Sequence, residues 1–184
     1  MNLKRFFVVV SLVAVAVASR LLPHPPNFTA IGAMALFAGA TLQDRRLAFG
    51  LPIGVMLLTD WAIGFHAVVP FVYVATLLYV ALGQWAGRGQ AVNRMSMLRM
   101  GGATLLGSVM FFLITNVGCW WAFYDHTASA LIACFTAAIP YFQWTLAGDV
   151  VFVAVLLIAM GLVESMMPSL RDRSDAANLS SSFR

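Results

Sequence analysis

The amino-acid sequence predicts an all-α integral membrane protein, built as a bundle of six transmembrane helices. Two compositional observations lead to this prediction: 61% of the 184 residues are hydrophobic, and only 10% are charged. A soluble domain is about 25% charged, so this chain has too few charges to cover a water-exposed surface. The third observation is that apolar segments of nearly membrane-spanning length recur along the chain.

Seven apolar segments can be marked, and five of them approach the ~20 residues that one crossing requires. These five are residues 5–22, 47–65, 67–87, 100–118 and 145–163. Two shorter segments lie at 28–42 and 129–142. The latter contains Pro140, so we expect a short re-entrant piece or half-helix near 129–142, which membranes tolerate only where protein shields the backbone.

The distribution of basic residues predicts the topology. With six spans, an excursion at 129–142 and a cytoplasmic N-terminus, Arg20 is the only one of the eleven lysines and arginines outside. The positive-inside rule therefore favours an N-in, C-in arrangement. Segment 5–22 has features of a signal peptide, but its apolar stretch continues past Arg20 to Leu22, so we interpret it as the first membrane helix.

The expected domain organisation is simple. Residues 1–167 form a single transmembrane helical domain, and residues 168–184 form a polar, disordered cytoplasmic tail.

Four polar side chains are expected in the outer third of the membrane. At 1.5 Å per residue, Asp60 lies roughly 21 Å above Arg46, and Tyr73 and Asn116 lie at similar heights on their own segments. Asp149 is expected near the outer surface. Since an ionisable group at depth rarely faces lipid, this clustering predicts an outward-facing pocket.

Each of these residues also has a structural interpretation. Asp60 could serve only as a buried pairing partner, and Asn116 could hydrogen-bond between helices. Asp149 could cap a helix or pair with Arg20. The pocket hypothesis takes Asp60, Tyr73 and Asn116 as hydrogen-bonding groups, and Asp149 as a further binding residue.

The rim of the pocket is expected to include Asn27 and His66, with Trp120 as a packing wall. Trp120 could instead belong to an interfacial aromatic belt. His24, His66 and His126 have no metal-ligand spacing, so no metal site is predicted.

Small residues repeat at four-residue spacing, a pattern that allows close helix approach. Examples are Ala35–Gly39, Gly50–Gly54 and Gly83–Gly87. The pair Ala14 and Ala18 on the first helix is the candidate contact for a partner helix.

Several function classes find no support. The sequence has no GxxxxGK[ST], HExxH, GxSxG or CxxCH motif, so no cofactor and no enzymatic activity are predicted. The basic residues are dispersed between apolar segments and do not indicate nucleic-acid binding.

A family resemblance covers residues 20–163. The blocks LPHPPNFTAIGAMALFAGA, LPIGVMLLTDWAIGFH, ITNVGCWW and AAIPYFQWTLAGD resemble the DUF6580 family of small bacterial membrane proteins. This resemblance implies a multi-pass protein of the bacterial cytoplasmic (inner) membrane.

In size and six-helix layout the chain is also similar to the S components of energy-coupling factor (ECF) transporters. That similarity implies a vitamin-like substrate, a pocket near the outer face, and a membrane coupling subunit with ATPases that contacts small residues of the first helix. One branch of the S components binds cobalamin and uses a histidine, an acid and a cysteine near the corrin. The similarity implies that His24 and Asp60 correspond to the first two. This chain has no cysteine between Asp60 and Tyr79 to match the third.

The leading prediction is thus a substrate-binding membrane subunit for uptake of a small vitamin-like molecule. The alternatives are an intramembrane enzyme using Asp60 with His66 or Asp149, and a non-catalytic membrane assembly protein.

Overall fold

A computed structural model describes residues 3–42, 44–87 and 94–166. Within these ranges the chain forms six α-helices and no strand, which confirms the all-α prediction. The helices are α1 Leu3–Leu21, α2 Ile31–Thr41, α3 Arg45–Ile63, α4 Val69–Gly87, α5 Arg94–Phe123 and α6 Ala128–Met166. The expected tail at 168–184 lies outside the described residues.

Four of these helices, α3 to α6, are long and apolar enough to cross a membrane. The described apolar parts of the other two, Leu12–Leu21 and Ile31–Thr41, are shorter. This is the architecture of an all-α membrane protein with at least four helices suited to crossing.

The prediction of a re-entrant piece at 129–142 is wrong. Helix α6 continues through Pro140 for 39 residues, or roughly 58 Å. Proline removes one backbone donor, but a helix in an apolar environment can continue where neighbouring groups satisfy the freed carbonyl. Segments 129–142 and 145–163 are therefore two parts of one helix.

Helix α2 is the short, fully enclosed element of this fold. Nine of its 11 residues are buried, and it packs against all five other helices. A Cβ atom at Gly39 would overlap the backbone of Val80, and one at Gly83 would overlap the backbone of Leu36. These two glycines allow α2 and α4 to approach closely, as the small-residue spacing predicts.

The segment that precedes α2 folds into the bundle. Asn27 adopts a left-handed conformation (φ 65°), and the backbone of Phe28 and Thr29 lies against Gly148 of α6. The Ala30 amide donates to Ser19 Oγ of α1 over 2.9 Å. Helix α2 consequently starts inside the bundle, which explains why it is short.

The term 'cavity end' denotes the end of the bundle at which α1, α3 and α5 terminate. Helices α4 and α6 begin at this end, after loops that contain His66 and Tyr124. Helix α1 lies at the side of the bundle, where it contacts α2 and α3. Its Ala16 is buried, whereas Ala14 and Ala18 are exposed, so the predicted partner-contact residues face away from the bundle.

Candidate binding cavity

A cavity of about 860 Å³ occupies the bundle and is lined by residues of all six helices and of the loops at the cavity end. The loop residues His24 and His66 line its outer part and are exposed. Thr145 and Asp149, both buried, line its inner part. This volume lies within the range of 300–1,000 Å³ that is usual for small-molecule sites.

Aromatic side chains from α4, α5 and α6 form much of the wall. They are Tyr79, Phe111, Phe112, Phe123, Tyr141 and Phe142. Phe112 and Phe142 pack with ring centroids 5.1 Å apart, and Tyr79 and Phe111 pack at 6.5 Å. These mutual contacts fix the rings before a ligand enters, so the wall is largely preformed.

Arg20 and Asp60 form an ion pair near the cavity end. Arg20 Nη2 donates to Asp60 Oδ1 over 2.5 Å, and Asp60 is only 2% exposed. Arg20 lines the cavity and Asp60 does not. The sequence left two interpretations of Asp60 open, namely a buried pairing partner and a hydrogen-bonding group of the pocket. The structure shows the pairing, and the partner Arg20 lies on α1.

One further nitrogen of Arg20 and the second carboxylate oxygen of Asp60 are buried without a hydrogen-bond partner among the described residues. They are Arg20 Nη1 and Asp60 Oδ2, and the nearby Tyr73 hydroxyl on α4 shares this condition. Tyr73 interacts electrostatically with both Asp60 and Arg20. The three side chains therefore form one polar group that joins α1, α3 and α4.

Asp149 forms a second polar group at the inner part of the cavity. Its Oδ2 accepts hydrogen bonds from the Tyr79 hydroxyl of α4 and from Ser108 Oγ of α5, the latter over 2.6 Å. Its Oδ1 lies against Gly32 of α2, where a Cβ atom would overlap it. Four helices thus meet at this carboxylate.

The depth of Asp149 differs from the sequence-based expectation. Asp149 lies 21 residues after the first residue of α6, or roughly 31 Å along it, and is 3% exposed. That expectation treats 145–163 as a separate helix that follows the short piece at 129–142. Because α6 continues through Pro140, Asp149 lies inside the bundle. The suggested pairing with Arg20 is not observed, since Arg20 pairs with Asp60.

Asn27, His66 and Asn116 line the cavity, as the pocket hypothesis requires. The Asn116 amide donates to the Phe112 carbonyl of its own helix over 2.7 Å, so this bond does not link two helices. The predicted pocket residues Tyr73 and Trp120 are not among the lining residues. The Nε1 atom of Trp120 is buried without a partner among the described residues.

The described residues contain no group of three or more His, Cys, Asp or Glu side chains that could hold a metal ion. His126 stacks on Trp121 with ring centroids 4.6 Å apart and does not line the cavity. Cys119 and Cys134 are free thiols that both line it.

Sequence reasoning did not identify Tyr79 or Ser108 as parts of this region, and it considered Arg20 only as a partner of Asp149. Serine and tyrosine are common in membrane helices, so Tyr79 and Ser108 gave no distinct signal. Arg20 was counted as a charge outside the membrane. The available signal was that a lone arginine at a helix end requires a carboxylate partner if it is buried.

The arrangement can bind a small molecule of mixed character. Aromatic rings supply most of the wall, while one ion pair, one further carboxylate and a few amides and hydroxyls supply polar contacts. Such a combination is typical of small-molecule sites.

Comparison with curated proteins and with solved structures finds no match. The model of one protein family, described as a family of unknown function (DUF6580), matches residues 1–170. The match covers nearly the whole chain, including every residue of the cavity, and the protein therefore belongs to the DUF6580 family.

Proposed function

We propose that this protein is a substrate-binding membrane subunit for the uptake of a small, vitamin-like molecule. The single observation that carries the proposal is the aromatic-walled cavity of about 860 Å³, which reaches from exposed loops to the middle of the bundle. A cavity of this volume accommodates a drug-sized ligand. Binding in it requires no covalent chemistry.

The proposal includes an orientation. All six helices cross or enter the bacterial cytoplasmic membrane with both termini inside, so the cavity end faces outward. The basic residues support this arrangement, because ten of the eleven would then lie on the cytoplasmic side. A cavity open to the outside is what an uptake protein needs in order to collect its substrate.

The proposal also includes a partner. The S components of ECF transporters, which the chain resembles in size and layout, work with a membrane coupling subunit and ATPases. Helix α1 lies at the side of the bundle, and its Ala14 and Ala18 are exposed. Small exposed residues permit close approach of a second helix, so this face of α1 is the proposed contact with the coupling subunit.

The cavity is tested by filling it. Ala138 lines the cavity, whereas Ala133 of the same helix is exposed and does not line it. Ala138→Trp should therefore exclude a ligand, and Ala133→Trp is the matched control with the same change in size. Both variants and the unmodified protein are purified in an uncharged detergent, and co-purifying small molecules are quantified by mass spectrometry.

We expect one drug-sized molecule to co-purify with the unmodified protein and with Ala133→Trp, and to be lost from Ala138→Trp. Retention of the molecule by Ala138→Trp would place its binding site elsewhere. If no molecule co-purifies and none from a vitamin panel binds, the binding function is refuted and the assembly role becomes the better explanation.

A further inference from the structure

The two formally charged side chains that line the cavity, Arg20 and Asp149, differ in their partners. Arg20 is paired with Asp60, so this pair contributes no net charge. Asp149 accepts hydrogen bonds from the neutral hydroxyls of Tyr79 and Ser108. Among the described residues Arg20–Asp60 is the only ion pair, and no cation there compensates Asp149.

An uncompensated carboxylate in this position has a high free energy. Asp149 is 3% exposed and lies midway along α6, where desolvation of an ion costs several kcal/mol. Two hydroxyl donors stabilise the carboxylate through hydrogen bonds, but both are neutral and supply no compensating charge. A positive charge delivered from the cavity would stabilise the carboxylate further.

The walls near Asp149 also suit a cation. Tyr79 both donates to Asp149 and lines the cavity, and Phe111 packs against Tyr79 at a centroid distance of 6.5 Å. The faces of aromatic rings attract cations, and this attraction is strongest where water is excluded. A carboxylate beside aromatic rings is therefore a chemically consistent site for an organic cation.

We infer that the molecule bound in this cavity carries a positive charge, either as an ammonium group or as a cationic nitrogen heterocycle, and that this charge pairs with Asp149. The inference rests on the proposed binding function and adds the chemical class of the substrate. The rest of the molecule lies towards the cavity end, between the aromatic rings of α5 and α6. Arg20 Nη1, which has no hydrogen-bond partner among the described residues, would then meet a neutral polar group of the same molecule.

The test uses three probes of similar size with different charges: benzyltrimethylammonium, benzyl alcohol and phenylacetate. Their binding to the purified full-length protein is measured by isothermal titration calorimetry in an uncharged detergent. We expect the cation to bind at least about 30-fold more tightly than the neutral and anionic probes, as for a desolvated charge pair. Asp149→Asn should abolish that preference.

Asp44→Asn is the matched control, because it makes the same chemical change at an exposed position. Asp44 caps α3 by accepting from the Arg46 amide over 2.8 Å, and asparagine caps helices equally well. This variant should retain the full preference for the cation. If Asp149→Asn does not fold, the order of the three probes on the unmodified protein still decides the question.

The outcomes separate this inference from the proposed function. If benzyl alcohol or phenylacetate binds as tightly as the cation, and Ala138→Trp blocks that binding, the cavity binds ligands but the assignment of positive charge is wrong. The same conclusion follows if Asp149→Asn leaves the cation's affinity unchanged. If no probe binds and no molecule co-purifies, the binding function itself fails.

Discussion

Asp60 and Asp149 are two carboxylates with almost the same burial, at 2% and 3% exposure, but with different partners. Asp60 lies near the cavity end and pairs with a guanidinium. Asp149 lies midway along α6 and receives only hydroxyl donors. Burial alone therefore does not tell which acid is structural and which is available to a ligand, whereas the charge of the partner does.

The energetic consequences of the two arrangements are opposite. A compensated ion pair is lost when either partner is removed, and the charge that remains is left without compensation. Neutralising a carboxylate that has no cationic partner costs the protein little stability, because the desolvation penalty of the charge disappears along with the charge. Substitutions at the two sites should consequently separate stability from binding.

Asp60→Asn should cause the largest loss of stability. It leaves the Arg20 guanidinium, whose side chain is only 16% exposed, without a carboxylate. Breaking a buried pair in this way costs about 3–5 kcal/mol, and we expect the lower end because Arg20 retains some contact with solvent. The measurement is unfolding in mixed micelles with increasing sodium dodecyl sulfate.

The combined variant Arg20→Met with Asp60→Leu supplies the control. Both charges are absent, so most of the lost stability should return. Ligand affinity is measured in parallel, since Arg20 lines the cavity and Asp60 holds it in place. A fully stable Asp60→Asn protein with unchanged affinity would contradict both the structural and the binding role of the pair.

Gly32→Ala should have the second-largest effect, and it acts on Asp149. The new Cβ would overlap Asp149 Oδ1 and contact the Tyr79 ring, so the carboxylate must move. Overpacking of this kind costs about 1–3 kcal/mol, and binding of the cationic probe should weaken as well. Circular dichroism melts and calorimetry measure the two effects.

Gly101→Ala is the matched control for Gly32→Ala, because a Cβ at Gly101 of α5 meets open space. Alanine is the better helix former by about 1 kcal/mol, so this variant should be as stable as the parent protein or slightly more stable. Equal effects of the two variants would show that Asp149 is not confined by Gly32.

The sequence was sufficient to predict the parts of the fold that depend on composition and on single segments. Long apolar runs predicted α1, α3 and α4 to within about two residues at each end, whereas α5 extends about five to six residues beyond its predicted segment at both ends. Small-residue spacing predicted close helix approach, which Gly39 and Gly83 show between α2 and α4, but it did not predict which helices meet. The charge of Asp60 at depth also indicated a polar interior, because such a residue must face protein or a wet cavity.

Two features depend on tertiary contacts and could not be predicted from one sequence. Pro140 is read as a break because proline removes a helix donor, yet α6 continues through it. The second feature is the depth of Asp149, which follows from that continuation. Its partners Tyr79 and Ser108 come from separate helices, and only the fold brings them together.

Asp149→Asn should change stability by no more than about 1 kcal/mol, although its burial equals that of Asp60. The amide oxygen can still accept from Tyr79 and Ser108, and the desolvation penalty of the charge is removed. Unfolding is measured under the conditions used for Asp60→Asn. A loss as large as that of Asp60→Asn would mean that a cation compensates Asp149 after all.

The smallest expected effect is the coupling between Ser108 and Asp149. The Ser108 hydroxyl has one proton and two acceptors within reach: Asp149 Oδ2 at 2.6 Å and the Thr104 carbonyl at 3.0 Å. The proton should favour the carboxylate while that group is charged, and an amide oxygen at position 149 should accept it more weakly because it carries no full charge. A double-mutant cycle of Ser108→Ala with Asp149→Asn should therefore give a coupling of about 0.6 kcal/mol, the average for hydrogen bonds between membrane helices.

The matched control is Thr136→Ala. The Thr136 hydroxyl donates to the Ile132 carbonyl, so its removal should show no coupling to Asp149→Asn. Zero coupling for Ser108 as well would mean that its proton stays on the carbonyl, leaving Tyr79 as the sole donor to the carboxylate among the described residues.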